Sequence, residues 1–172
     1  MLLKNRSALI PGASRPIGRA IARKFGSEGA FLFLPHYDWP ESTREMIEEF
    51  KESGFSFFTF PADLREEQAV KLLAVEINKK TGHLNFLINN IERGGMPVVH
   101  GAYDLKHNRE QWDLEIATTL KAMWLLYHHC LCLMQNAPDG GSIVNISSIS
   151  ALTGRSGPGA AFFSDGYSAA NR

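Results

Sequence analysis

Ala8-Leu9-Ile10-Pro11-Gly12-Ala13-Ser14-Arg15-Pro16-Ile17-Gly18-Arg19-Ala20-Ile21-Ala22 reads as a strand, a glycine turn and a helix. Ser7 to Ile10 is a short apolar run, and Ile17, Ile21, Ala22 and Phe25 recur at helical spacing until Gly29. A helix that starts so soon after a strand turns unpaired N–H groups and the positive end of its dipole toward any anion, a pyrophosphate included. Two prolines qualify that reading. Pro16 is comfortable at a helix start, yet it lacks an N–H and places a ring where backbone should approach a phosphate. Pro11 stands at the strand end. The junction therefore announces a fold more clearly than it announces a ligand.

Outward from this unit the same alternation repeats. Phe31 to Leu34 is a continuous apolar run, as in a strand buried on both faces of a parallel sheet, and Pro35 to Pro40 is expected to break it. Glu41 to Ser53 carries Met46, Ile47 and Phe50 on one helical face and ends at Gly54; Phe55 to Phe60 reads as the third strand. Asp63 to Glu67 leads into a helix with Val70, Leu73 and Ile77 inside, stopped by Gly82. Leu84 to Asn89 is the fourth strand, and Asn90 to about Asn108 is a long loop of the kind that often carries function. Arg109 to about Asn136 reads as one helix, apolar nearly all round from Met123 to Met134, so both sides need cover. Ser142 to Ile146 is the fifth strand; from Ser147 the chain is rich in Gly, Ser and Ala.

Strands alternating with helices of this length imply right-handed crossovers and one α/β domain over residues 1–172. The expected architecture is a doubly wound, parallel, Rossmann-type sheet in three layers, α/β/α. Ligands of such sheets bind beyond the strands' carboxyl ends, which gathers Gly12 to Gly18, His36, Asp63, Asn89 to Gly95 and Ser147 to Ser150 on one rim.

Composition narrows the function classes. Eighteen basic and eighteen acidic residues cancel without any basic block, which argues against nucleic acid and anionic membrane as partners. The N-terminus lacks the apolar core and cleavage site of a signal peptide, and no apolar run reaches membrane-spanning length. Cys130 and Cys132 are two apart on a helix and cannot easily bridge, so a reducing, cytoplasmic setting is expected. His128 and His129 beside them lack the i, i+4 spacing of helical metal ligands, and no metal site is expected.

In series, these loops resemble the short-chain dehydrogenase/reductase family from Lys4 to Arg172. Pro11 to Gly18 is similar to its TGxxxGIG turn, Asp63-Leu64 to its adenine-contacting aspartate, and Leu87-Ile88-Asn89-Asn90 to its NNAG strand end. Trp112-Asp113 through Leu120-Lys121 resembles the helix that carries an active-site asparagine, Ile143 to Ser148 the serine strand, and Tyr167-Ser168-Ala169-Ala170 the YxxxK helix. The resemblance implies hydride transfer between a nicotinamide and an alcohol or ketone carbon, with Ser148 and Tyr167 as the catalytic pair. It implies Gly12, Ser14, Arg15, Ile17, Gly18, Asp63 and Asn89 as the cofactor-binding set. It also implies further segments after Arg172, so a C-terminal part of the fold is expected to be missing.

This chain departs from that plan at several points. Pro16 replaces the middle glycine, Pro11 the threonine, and Ile91-Glu92 the Ala-Gly of NNAG; an acid at Glu92 would repel a pyrophosphate. His36 stands where NAD-preferring members keep an aspartate, and no Arg or Lys follows closely enough to argue for a 2′-phosphate. Thr119 takes the asparagine position and Asn171 the lysine position, leaving Tyr167 without the cation that would favour its ionisation. Arg172, one residue on, points about 100° away along a helix. Ser148 and Tyr167 are nineteen residues apart, wider than the family spacing.

The reading that follows is a silent subunit with no bound cofactor. It would pair with an active short-chain dehydrogenase paralogue, as homo- or hetero-oligomer through helix 109–136. Such a subunit resembles the non-catalytic one of the heteromeric hydroxyacyl-CoA dehydrogenase of anaerobic toluene (benzylsuccinate) breakdown. The alternatives are an active NAD(P)-dependent oxidoreductase with an unusual site, and a non-enzymatic small-molecule binding module.

Overall fold

The computed structural model describes residues 1–91, 110, 112–149 and 152. Five strands, β1 (Ser7–Leu9), β2 (Phe31–His36), β3 (Phe57–Pro61), β4 (Phe86–Asn89) and β5 (Ser142–Asn145), form one all-parallel sheet in the order β3-β2-β1-β4-β5. The helices α1 (Pro16–Ser27), α2 (Pro40–Glu52) and α3 (Glu67–Thr81) make the crossovers between β1 and β4. This is the expected Rossmann-like α/β arrangement, with the chain reversing its direction of travel across the sheet at β1.

The residues group into two compact units. The first comprises 1–90 and 125–145 and holds the whole sheet; the second comprises 91–124 and 146–172. In the first unit Ala8, Ile10, Leu32, Leu34 and Ile88 from the sheet meet Ala22, Met46 and Phe50 from α1 and α2. Phe50 lies 5.4 Å from Phe55 and 6.1 Å from Phe57, ring centre to ring centre. Gly26 of α1 is glycine because a Cβ there would stand 2.7 Å from the Phe55 ring.

Two sequence expectations change. Pro35 does not break the second strand, which runs on to His36 paired with Pro61 of β3. Leu32 donates its N–H to Ser56 O and His36 O accepts from Ala62 N, so these positions face β3. Pro35 therefore faces β1, whose pairing with β2 ends at Leu9 and Phe33, and its missing N–H removes no ladder bond.

The long helix is the second. Residues 112–115 are α-helical, Ile116–Lys121 are π-helical, and α4 (Ala122–Gln135) completes the run. Despite its composition α4 has two faces: Ala122, Leu125, Leu126, Cys130, Leu133 and Met134 are buried, whereas Trp124 and Tyr127 are 56% and 43% exposed. Among the described residues no helix is long and apolar enough to cross a membrane.

Candidate functional site

The glycine turn is held by packing against the end of β4. Gly12 adopts φ +72°, a conformation for which other residues pay steric strain, and a Cβ on it would collide with the Asn90 carbonyl. Gly18, inside the first turn of α1, would bring a Cβ to 2.7 Å from the Asn90 side-chain nitrogen, and its nearest neighbour is the Gly12 carbonyl. The two glycines thus let α1, the turn and the end of β4 close on one another. Asn90, which the sequence marked only as part of a motif, is the residue on which they close.

Ser14 is buried and its carbonyl accepts from Arg19 Nη2 at 3.0 Å; the same guanidinium nitrogen reaches Ser42 O at 2.6 Å and so ties the turn to α2. Pro16 occupies the first position of α1. The Arg15 N–H donates to Gly12 O, and the first helical bond runs from Arg19 N to Arg15 O. Of the first-turn donors that a helix offers an anion, Pro16 supplies none, which leaves Ile17 and Gly18.

Arg15 packs on the loop between β2 and α2. Its guanidinium carbon lies 4.2 Å from the centre of the Trp39 ring, in the loop between β2 and α2. A second arginine meets the same loop, Arg65 standing 5.7 Å from the centre of the Tyr37 ring. Arg65 also grips Asp63: its Nε donates to Oδ1 at 2.8 Å and its Nη2 to Oδ2 at 2.5 Å. The hydrogen bond to the Asp63 carboxylate raises the already high Arg65 pKa further. The carboxylate assigned to adenine is therefore engaged within its own loop. Trp39, Tyr37 and Arg65 had no role in the sequence reading; the only hint was two aromatic residues flanking Asp38 between a strand and a helix.

Asn89 is buried at the end of β4, and its Nδ2 donates to Asn145 Oδ1 of β5 at 2.7 Å while its Oδ1 has no partner. His36, half-buried at the end of β2, has its pKa lowered by that burial and is neutral at pH 7. These residues all belong to the first unit.

Thr119 and Ser148 belong to the second unit. Thr119 sits within the π-helical turn, a feature often found at functional positions, and is buried with its hydroxyl oxygen unpartnered. Ser148 follows β5 and is half-buried. Glu92, Tyr167, Asn171 and Arg172 lie outside the described residues.

For a dinucleotide the fit of the first unit is poor. Pro16 removes a donor, Arg15 rests on Trp39 and Asp63 is taken by Arg65.

Comparison with known proteins gives the family. The model of the short chain dehydrogenase family matches residues 6–168. Among curated relatives, the 3-oxoacyl-(acyl-carrier-protein) reductase FabG of Staphylococcus aureus is 28% identical over 157 residues, covering 88% of this chain and 59% of the relative. A fatty acyl-CoA reductase of Acinetobacter baylyi is 32% identical over 155 residues, covering 87% of this chain and 49% of the relative. A solved metagenomic short-chain oxidoreductase in complex with NADP superposes with a TM-score of 0.77 at 30% identity, covering 98% of this chain and 74% of that one. The chain spans about half to three-fifths of the length of these curated relatives. It belongs to the short-chain dehydrogenase/reductase family.

Proposed function

We propose that this chain is a catalytically silent short-chain dehydrogenase-like subunit that pairs with an active NAD-dependent alcohol or hydroxyacyl-CoA dehydrogenase paralogue. The observation that carries the reading is Pro16 at the head of α1, with Arg15 beside it turned onto Trp39. A proline at this point takes an N–H from the anion site and adds a ring where phosphate oxygens would lie. Thr119 and Asn171, in place of the relay asparagine and the catalytic lysine, support the same reading. Pairing through helix 109–136 is supported by Trp124 and Tyr127, large side chains exposed on one helix at a spacing of three residues. The relatives' names point to acyl reduction, not to toluene breakdown, so the proposal stops short of a pathway.

The experiment is calorimetric titration with NADH and NADPH. No binding by the wild-type chain is expected, with measurable affinity regained in the Pro16→Gly, Asn171→Lys double variant. Micromolar binding with turnover by the wild type would overturn the reading in favour of an active NAD(P)-dependent oxidoreductase. The pairing is tested separately by co-purification from the native host, in which a second dehydrogenase chain is expected in fixed ratio.

A further inference from the structure

We propose that the groove between α2 and the carboxyl ends of β2 and β3 binds a small amphipathic anion, a carboxylate carried on a short apolar body. The groove encloses about 480 Å³, within the ~300–1,000 Å³ of small-molecule sites. Its wall is apolar at Pro40, Ile47 and Pro61, which suits a hydrocarbon or ring.

The charge is unbalanced in favour of an anion. Arg44 and Lys51 line the groove and make no ion pair among the described residues. Two acids of α2 that could have answered them face the other way, Glu45 bound to Arg19 and Glu49 to Arg23 of α1. Glu48 alone remains in the groove against two cations. His36 also lines it, and its burial keeps the imidazole neutral at pH 7, a hydrogen-bonding group beside the two positive charges.

One buried group lacks a partner here. Thr43 is 5% exposed, lines the groove, and its Oγ1 makes no hydrogen bond. The comparable Thr81 hydroxyl on α3 donates to a backbone carbonyl at 2.7 Å. The Oγ1 atom is itself closed to solvent, so it lies behind the groove wall, and the ligand's carboxylate would be held by Arg44 and Lys51. Two cations that make no ion pair among the described residues, set against one acid, and an apolar wall together describe a carboxylate head with a short tail. None of these groups belongs to the glycine turn, and of the positions compared with the family's nucleotide site only His36 lines the groove.

The test uses octanoate as probe, with octylamine and octanol as controls of equal tail length, followed by the backbone amide spectrum of the ¹⁵N-labelled chain. Octanoate is expected to shift Thr43, Ile47 and Lys51 saturably, and the two controls to bind weakly or not at all. The Arg44→Glu, Lys51→Glu double variant is expected to lose ~fivefold or more in octanoate affinity, on the scale of exposed ion pairs. Equal binding of octanol or octylamine, or unchanged octanoate affinity after charge reversal, would overturn the proposal. Neither result depends on whether NADH binds.

Discussion

The guanidinium of Arg15 rests 4.2 Å from the centre of the Trp39 ring, so the arginine of the glycine turn packs on the loop that opens α2. Both partners are constrained. Arg15 precedes the proline that heads α1, and Trp39 adopts φ 64° immediately before Pro40. Arg15→Ala should lower stability by about 0.5–1 kcal/mol through loss of the stack. Trp39→Gly loses the same stack but relieves a left-handed conformation worth ~1–2 kcal/mol to a residue with a Cβ, so its net effect should lie near zero or be stabilising. Urea denaturation of the two variants measures the difference.

His36 should make stability depend on pH with a defined sign. Burial lowers its folded pKa below the ordinary value of 6.5, so between the two values the unfolded chain binds more protons than the folded one. Stability contributed by the neutral imidazole is present above about pH 6.5 and is lost as pH falls through that value toward the folded pKa. Unfolding free energies at pH 5, 6 and 7 should rise with pH in the wild type, and His36→Gln should flatten that part of the curve.

The two cysteines should react in sequence. Cys130 is fully buried in α4 and its thiol pKa is pushed up to about 12 by burial, whereas Cys132 is exposed on the same helix. Mass spectrometry after brief iodoacetamide treatment should find one adduct, on Cys132, and a second on Cys130 only in denaturant. Early modification of Cys130 would mean that α4 does not pack as described.

Glycine substitutions should separate crowding from backbone strain. Gly18→Ala places a methyl closest to the Gly12 carbonyl oxygen and 2.7 Å from the Asn90 side-chain nitrogen and should cost about 1–3 kcal/mol by overpacking. Gly54 has φ +68° with open space around it, so Gly54→Ala should cost only the ~1–2 kcal/mol of a left-handed residue with a Cβ. Combining Gly18→Ala with Asn90→Ala should recover part of the first cost and none of the second.

Much of the fold was legible because it depends on local pattern. The apolar runs at Phe31 and Leu84, the helical faces of Val70, Leu73 and Ile77, and the stops at Gly54 and Gly82 all reappear in β2, β4, α2 and α3. Pro35 was misleading because a proline's effect in a strand depends on which neighbour its missing N–H would have faced, and that is set by the order β3-β2-β1. The site was legible only as a set of loops. Asp63 was compared with an adenine-contacting aspartate, yet Arg65, two residues on, holds its carboxylate, and side-chain direction in a turn is not written in spacing.

The sequence by itself determined the strand-turn-helix junction, the parallel α/β architecture and the loss of an N–H at Pro16, since each follows from periodicity or from the covalent structure of one residue. Tertiary structure decided the rest of that junction's chemistry. Arg15 meets Trp39, and Gly12 and Gly18 meet Asn90, only because parallel pairing brings the ends of β1, β2 and β4 to one edge. Residues 24 and more positions apart become neighbours there, a relationship carried by the sheet's connectivity and by no local pattern in the chain.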